Sequence, residues 1–236
     1  MEVLTTEEKL NKIGRDILVH ARNELYLKMR FLDVALSSYR FVMDEGIETI
    51  GTDGLAVYFH SGYLGGIFRE NERLVNRAYL HMVLHGIFRH MIRRKSRDVR
   101  YYNLACEIAV ESIIDNMKYP CVVQSQSWLR REIYRKMNAR MKVLTAEKIY
   151  SVLREMELSE KELLKLEEEY CVDDHRYWPQ DDEKKKQEIE NQWQDISDRT
   201  QTDMETFSKD ASEQSGHFID QLKVENRGKM DYRDFL

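Results

Sequence analysis

Two histidines, His81 and His85, stand four residues apart in the run His81-Met82-Val83-Leu84-His85, a spacing suited to holding a metal ion. On a helix both rings then lie on one face, about 40° apart and within reach of a single ion. Imidazole nitrogens bind zinc at roughly 2.0–2.1 Å, and such a pair is the helical half of many zinc sites. In the catalytic form of the pattern a glutamate follows the first histidine and serves as general base toward the water on the metal. Here Met82 takes that position. A thioether accepts no proton at neutral pH, so the pattern retains its ligands and lacks its base. Met82→Glu is accordingly the single change expected to supply a base while leaving the fold intact.

A tetrahedral site needs a third protein ligand. His90 lies nine residues beyond His81, which on one continuous helix turns it about 180° away. Glu107 follows His85 by 22 residues, enough for one helix to end and the next to return beside it. A set of two histidines and one glutamate, His81, His85 and Glu107, leaves a fourth position for water. Asp174 and His175 are then the candidate catalytic groups, orienting a ligand or donating to a substrate oxygen. The alternative has no ion, with His81 and His85 hydrogen-bonded to Glu107 or Glu111 across two packed helices.

These residues need rigid helices to hold them. Apolar and polar residues recur with helical period from Asn76 to Lys95, and a basic turn follows that includes Arg93, Arg94, Lys95 and Arg97. The stretch from Asn103 to Asp115 is apolar on most faces yet carries Glu107, Glu111 and Asp115 at successive fourth positions. A carboxylate among such neighbours demands a positive partner, so this helix should pack on the first with Glu107 facing the two imidazoles. Upstream, Thr5 and Glu8 have capping-box spacing ahead of a long amphipathic helix reaching Leu36. The stretch from Gly46 to Phe68 changes character: Gly51, Asp53 and Gly54 give turn chemistry, Leu55-Ala-Val-Tyr-Phe-His60 reads as a strand, and Ser61, Gly62, Gly65 and Gly66 break it again, so one or two short strands are expected as a hairpin or edge sheet. Downstream come helices over 129–142, 145–156 and 159–169, then a polar loop over 171–179. The expected fold class is α+β, mainly α-helical. Its first unit is residues 1–179; its second, 180–236, is charged, helical and partly mobile, with Ile189, Trp193 and Ile196 as sparse anchors.

Composition narrows the function classes. Residues 1–150 carry 24 Lys and Arg against 18 Asp and Glu, whereas residues 151–236 carry 13 against 24, so a basic body precedes an acidic segment. The two basic stretches, 89–100 and 129–142, raise nucleic-acid binding as a rival class. The net charge of −5 and the lack of a recognised binding motif favour instead a solvated face or docking of the acidic segments. Three widely spaced cysteines form no Cys-x-x-Cys pair and read as reduced thiols. No apolar run approaches the roughly 18 residues of a membrane span, and no signal pattern is present, which points to a soluble cytoplasmic protein.

Taken in order, the motifs resemble a family. The pair His81/His85, the arginines Arg93/Arg94, the helix signature Asn103/Ala105/Glu107 and the pair Asp174/His175 follow the order seen in a bacterial zincin-like metallopeptidase domain that precedes a von Willebrand factor A-like domain. The resemblance implies a zincin-like fold, zinc as cofactor and protein partners, including an AAA-type ATPase and a C-terminal A-like domain that Met230 to Leu236 would approach. Two departures stand out. Met82 replaces the glutamate base and Glu107 replaces the usual aspartate, which implies a metallopeptidase-like domain, inactive as a peptidase, that acts in recognition or assembly. An active zinc peptidase with its base elsewhere is the alternative.

Overall fold

Helix α4 (Glu72–Phe88) is buried at every residue from Val75 to Phe88. Helix α5 (Val99–Asn116) is likewise buried continuously from Leu104 to Ile114. Helices apolar on nearly every face belong in the middle of a domain, and these two pack against each other as its spine. The computed structural model describes residues 4–180, 182–206 and 213–227. Helix α1 (Thr6–Lys28) begins at a Thr5/Glu8 capping box and lays Ile17, Leu18, Ala21 and Leu25 against the core. It stops well short of Leu36: a 3-10 turn at Arg30–Leu32 and the short helix α2 (Asp33–Ser37) follow. Helix α3 (Ser61–Glu70) packs on both α1 and α4.

The small sheet has three strands, β1 (Arg40–Met43), β2 (Ile50–Thr52) and β3 (Ala56–Phe59), in the order β1-β3-β2. Strand β1 runs parallel to β3 with Arg40 opposite Ala56, and β2 runs antiparallel to it with Ile50 opposite Phe59. Of the hairpin or edge sheet expected here, the strand read at Leu55–His60 is β3, and β2 pairs with it across the Asp53–Gly54 turn. The added strand, β1, is only four residues long and buries only Phe41 fully, too short a run for a period-two pattern to register. The β2–β3 turn is built by Asp53, whose carboxylate accepts from Leu55 N and Ala56 N, and by Gly54 with φ +92°.

Helices α6 (Trp128–Asn138), α7 (Ala146–Glu155) and α8 (Glu160–Tyr170) follow, and α7 and α8 cover α5. Beyond residue 180 the chain forms α9 (Glu183–Thr206) and α10 (Phe218–Arg227). The sparse anchors of α9 recur with helical spacing. Ile189, Trp193, Ile196, Thr200 and Met204 are all buried, and the helix crosses α4 and α2. Trp193 donates from Nε1 to Gly54 O at 2.7 Å, and Lys185 Nζ reaches Asp53 at 2.8 Å, so α9 is clipped to the β2–β3 turn. It packs on the spine at Gly86, where an added Cβ would sit 2.5 Å from the Trp193 ring. Gly86→Ala should therefore overpack this contact, lowering stability by about 1–3 kcal/mol. Thermal melting checks it, and a variant melting like the wild type would show that the Trp193 ring yields at this crossing without cost.

The basic stretches spend their charge internally. Arg100 pairs with Glu160 and Glu167, Arg130 with Glu111, Asp115 and Glu169, Arg93 with Glu225, and Arg140 with Glu155. Docking of acidic segments thus satisfies much of what a nucleic-acid reading would need. Among the described residues no helix is long and apolar enough to cross a membrane.

Candidate metal centre

Asn71 caps α4 by accepting from Arg73 N, and the helix then carries His81 and His85 on the face toward α5. Their Nε2 atoms lie 2.8 Å apart. From α5, Glu107 Oε1 comes within 3.2 Å of His81 Nε2 and 3.1 Å of His85 Nε2. The structure therefore brings His81, His85 and Glu107 together, as the spacing of imidazoles and buried carboxylate requires. One turn further along α5, Glu111 Oε1 accepts from His81 Nδ1 at 2.9 Å, which fixes the ring and aims Nε2 at the cluster.

The loop after α8 completes the constellation. Val172 N donates to Glu107 Oε2 at 2.8 Å, and Asp173 Oδ1 lies 3.4 Å from His81 Nε2 and 3.7 Å from His85 Nε2. His175 Nε2 reaches Glu107 Oε1 at 2.9 Å and Asp173 Oδ1 at 3.0 Å, while its ring stacks on Trp178 with centroids 3.6 Å apart. Asp174, singled out from the sequence, is not in this group. Its backbone N donates to Ile50 O, and its carboxylate turns outward to accept from Arg176 N and pair with the Arg176 side chain. The member missed in the sequence is its neighbour Asp173. In the run Asp173-Asp174-His175 either carboxylate fits a motif of this kind, and only the loop backbone decides between them.

His90 also differs from expectation. Helix α4 ends at Phe88 because Arg89 adopts a left-handed conformation, φ +56°, and a 3-10 turn over His90–Ile92 follows. That break returns His90 to the cluster side, where its Nδ1 meets His85 Nδ1 at 3.1 Å. A nonglycine residue at a left-handed position leaves no sequence signal, so periodicity carried the helix on to Lys95.

Electrostatics follow from this packing. Burial works to raise the Glu107 carboxyl, yet His81 and His175 beside it hold it well below the usual range. Asp173 is likewise lowered, burial being outweighed by His175 and His85. Burial pushes Glu111 up, and Arg77, His81 and Arg130 pull it far down. His81 is raised well above its ordinary value, burial being overcome by Glu107 and Asp173, and His175 rises to about 9 against burial through Asp173 and Glu107. Burial lowers His85 and His90.

A divalent cation fits this donor set. One ligand atom from each of His81, His85, Glu107 and Asp173 lies within 4.8 Å of every other, in a cluster built only of buried or half-buried residues. Their separations bracket the about 3.3 Å edge of a tetrahedron drawn with zinc bond lengths. Asp173 Oδ2 is buried and has no hydrogen-bond partner among the described residues. A cation held there would supply Lewis-acid charge able to polarise a carbonyl or acidify a water. The protein groups do the rest: Glu111 orients His81, Val172 N–H fixes Glu107, and His175 stands at the rim with 9% of its side chain exposed.

No curated protein and no solved structure matches the chain. A family described as a putative metallopeptidase domain matches residues 15–229, a span that contains every donor of the cluster and both spine helices, and the chain belongs to that family.

Proposed function

We propose that this domain holds one divalent cation, zinc, through His81, His85, Glu107 and Asp173, and that it does so without hydrolysing peptides. The observation that carries the reading is enclosure of the donors: the side chains of His81, His85 and Asp173 are 0% exposed and that of Glu107 is 1% exposed. A peptide substrate of the β-addition kind needs a free sheet edge beside the metal. Here the outer edge of β2 is taken by the chain itself, with Asp174 N bonded to Ile50 O at 2.7 Å and Gly51 admitting the Asp174 carbonyl where a Cβ would clash. The missing base at Met82 points the same way. Imidazole and carboxylate together suit zinc.

The domain then serves recognition or assembly, beside an A-like domain and a partner ATPase, a partnership supported by the family resemblance. Free Cys106, Cys121 and Cys171 agree with a reducing cytoplasmic setting. Protein purified without chelator or metal-affinity tag should carry about one zinc per chain by elemental analysis, in line with a single closed site. It should leave fluorogenic peptides uncut even with zinc added. Metal-free protein that takes up no zinc would sink the metal assignment. Zinc-dependent cleavage abolished by His81→Ala would instead establish an active peptidase with its base elsewhere.

A further inference from the structure

Arg130 touches none of the four donors, yet it grips both parts of the frame that holds them. Its Nη1 donates to Glu111 Oε2 at 2.6 Å and to Asp115 Oδ2 at 3.0 Å. Its Nε donates to Glu169 Oε1 at 2.8 Å and its Nη2 to the Glu169 carbonyl at 2.7 Å, with the guanidinium 4.9 Å above the Tyr170 ring. Glu111 is the carboxylate that orients His81. Glu169 lies at the C-terminal end of α8, four residues before Asp173 and six before His175. One fork-shaped cation therefore ties the helix-borne donors to the loop-borne ones. We propose that Arg130 is a positioning residue that sets the affinity of this site for a divalent cation. The proposal rests on the metal reading above.

Arg77 makes the contrast clear. It too donates to Glu111 Oε2, at 2.6 Å, and to Asp115 Oδ1, at 2.7 Å, but its remaining bond goes to Val122 O and not to α8. Glu111 thus keeps a guanidinium partner if either arginine alone is replaced. Of these two arginines, Arg130 is the one that also reaches α8, so it joins the Val172–Glu107 bond and the Arg100 pairs in setting the register between α5 and the loop that delivers Asp173. A lysine at 130 keeps the charge and loses the fork, since one ammonium cannot reproduce the planar set of donors spanning Glu111, Asp115 and Glu169.

The test is zinc affinity of metal-free protein, measured by competition with a chromophoric chelator, together with the rise in melting temperature that zinc produces. Arg130→Lys should weaken zinc about 10- to 100-fold, the usual effect of losing a partner that orients metal ligands. The zinc-induced rise in melting temperature should shrink accordingly. Glu169→Gln should weaken zinc in the same direction, and the double variant should fall short of the product of the two. Arg135→Lys, in an exposed pair with Glu132, is the control expected to match the wild type. A merely structural role would lower the melts with and without zinc equally and leave affinity unchanged, and that result overturns the proposal. Should Arg130→Lys fail to fold, Glu169→Gln with wild-type affinity overturns it alone. Absence of zinc binding by the wild type would instead remove the metal reading on which the proposal stands.

Discussion

Glu107→Ala should abolish tight zinc binding and also lower the melting temperature of the metal-free protein. Glu107 Oε1 faces His81, His85 and His175, while Oε2 accepts from Val172 N, so truncation takes the shared acceptor from three imidazoles and from a part-buried backbone N–H. Removing one partner of a buried charge pair typically costs about 3–5 kcal/mol. At about 2–4 °C per kcal/mol for a chain of this size, the melt should fall by roughly 6–20 °C. Zinc affinity should drop by more than the about 100-fold upper range expected for an outer partner, because here a ligand is lost. Glu107→Gln separates the two effects. It retains an acceptor for Val172 N and removes the charge, so it should recover part of the stability but little of the zinc affinity. If both variants bind zinc like the wild type, Glu107 is only a hydrogen-bond acceptor for the histidines, and the ion-free alternative gains ground.

How much of this could be read in the sequence depends on how local each determinant is. The convergence of His81, His85 and Glu107 was legible because helical spacing fixes the two imidazoles and a carboxylate among apolar neighbours must find a positive partner. The Thr5/Glu8 cap and the helices near 129–142, 145–156 and 159–169 were legible by spacing, whereas α3 was not: Ser61, Gly62, Gly65 and Gly66 read as breakers yet lie inside a helix over Ser61–Glu70. Asp173 was not legible either, because which of two adjacent aspartates enters the cluster is decided by the Asp174 N bond to Ile50 O, a contact between segments more than a hundred residues apart. The placement of His90 depends on Arg89 in a conformation that favours glycine. Packing of α9 was half legible. Trp193 and Ile189 were visible as anchors, but nothing in the sequence says that Gly86 leaves room for the indole.

That same contact changes what Met82→Glu should do. From the motif alone, the substitution supplies a general base, and such assistance typically contributes 10²–10⁴-fold to rate. In the structure Met82 is 0% exposed within the apolar core. It shares its helical face with Gly86, one turn on, which packs on Trp193. Trp193 in turn lies 5.1 Å from the Tyr39 ring, whose hydroxyl is committed to the Met82 carbonyl at 2.9 Å. A carboxylate at 82 would therefore lie fully buried in the apolar core, one turn from the Gly86–Trp193 contact. The expected result is a loss of at least about 3 kcal/mol, roughly 6–12 °C in the melt, and no gain of peptide cleavage with zinc present. Met82→Leu, similar in volume and equally apolar, should lose less than about 1.5 kcal/mol, which shows that charge and not shape is responsible. Thermal melts of the two variants beside the wild type, with a fluorogenic peptide assay on the same samples, decide the matter. A Met82→Glu protein that melts like the wild type and cleaves peptide only while His85 is intact would mean that this face opens onto the donors, and that one substitution separates the domain from an active peptidase.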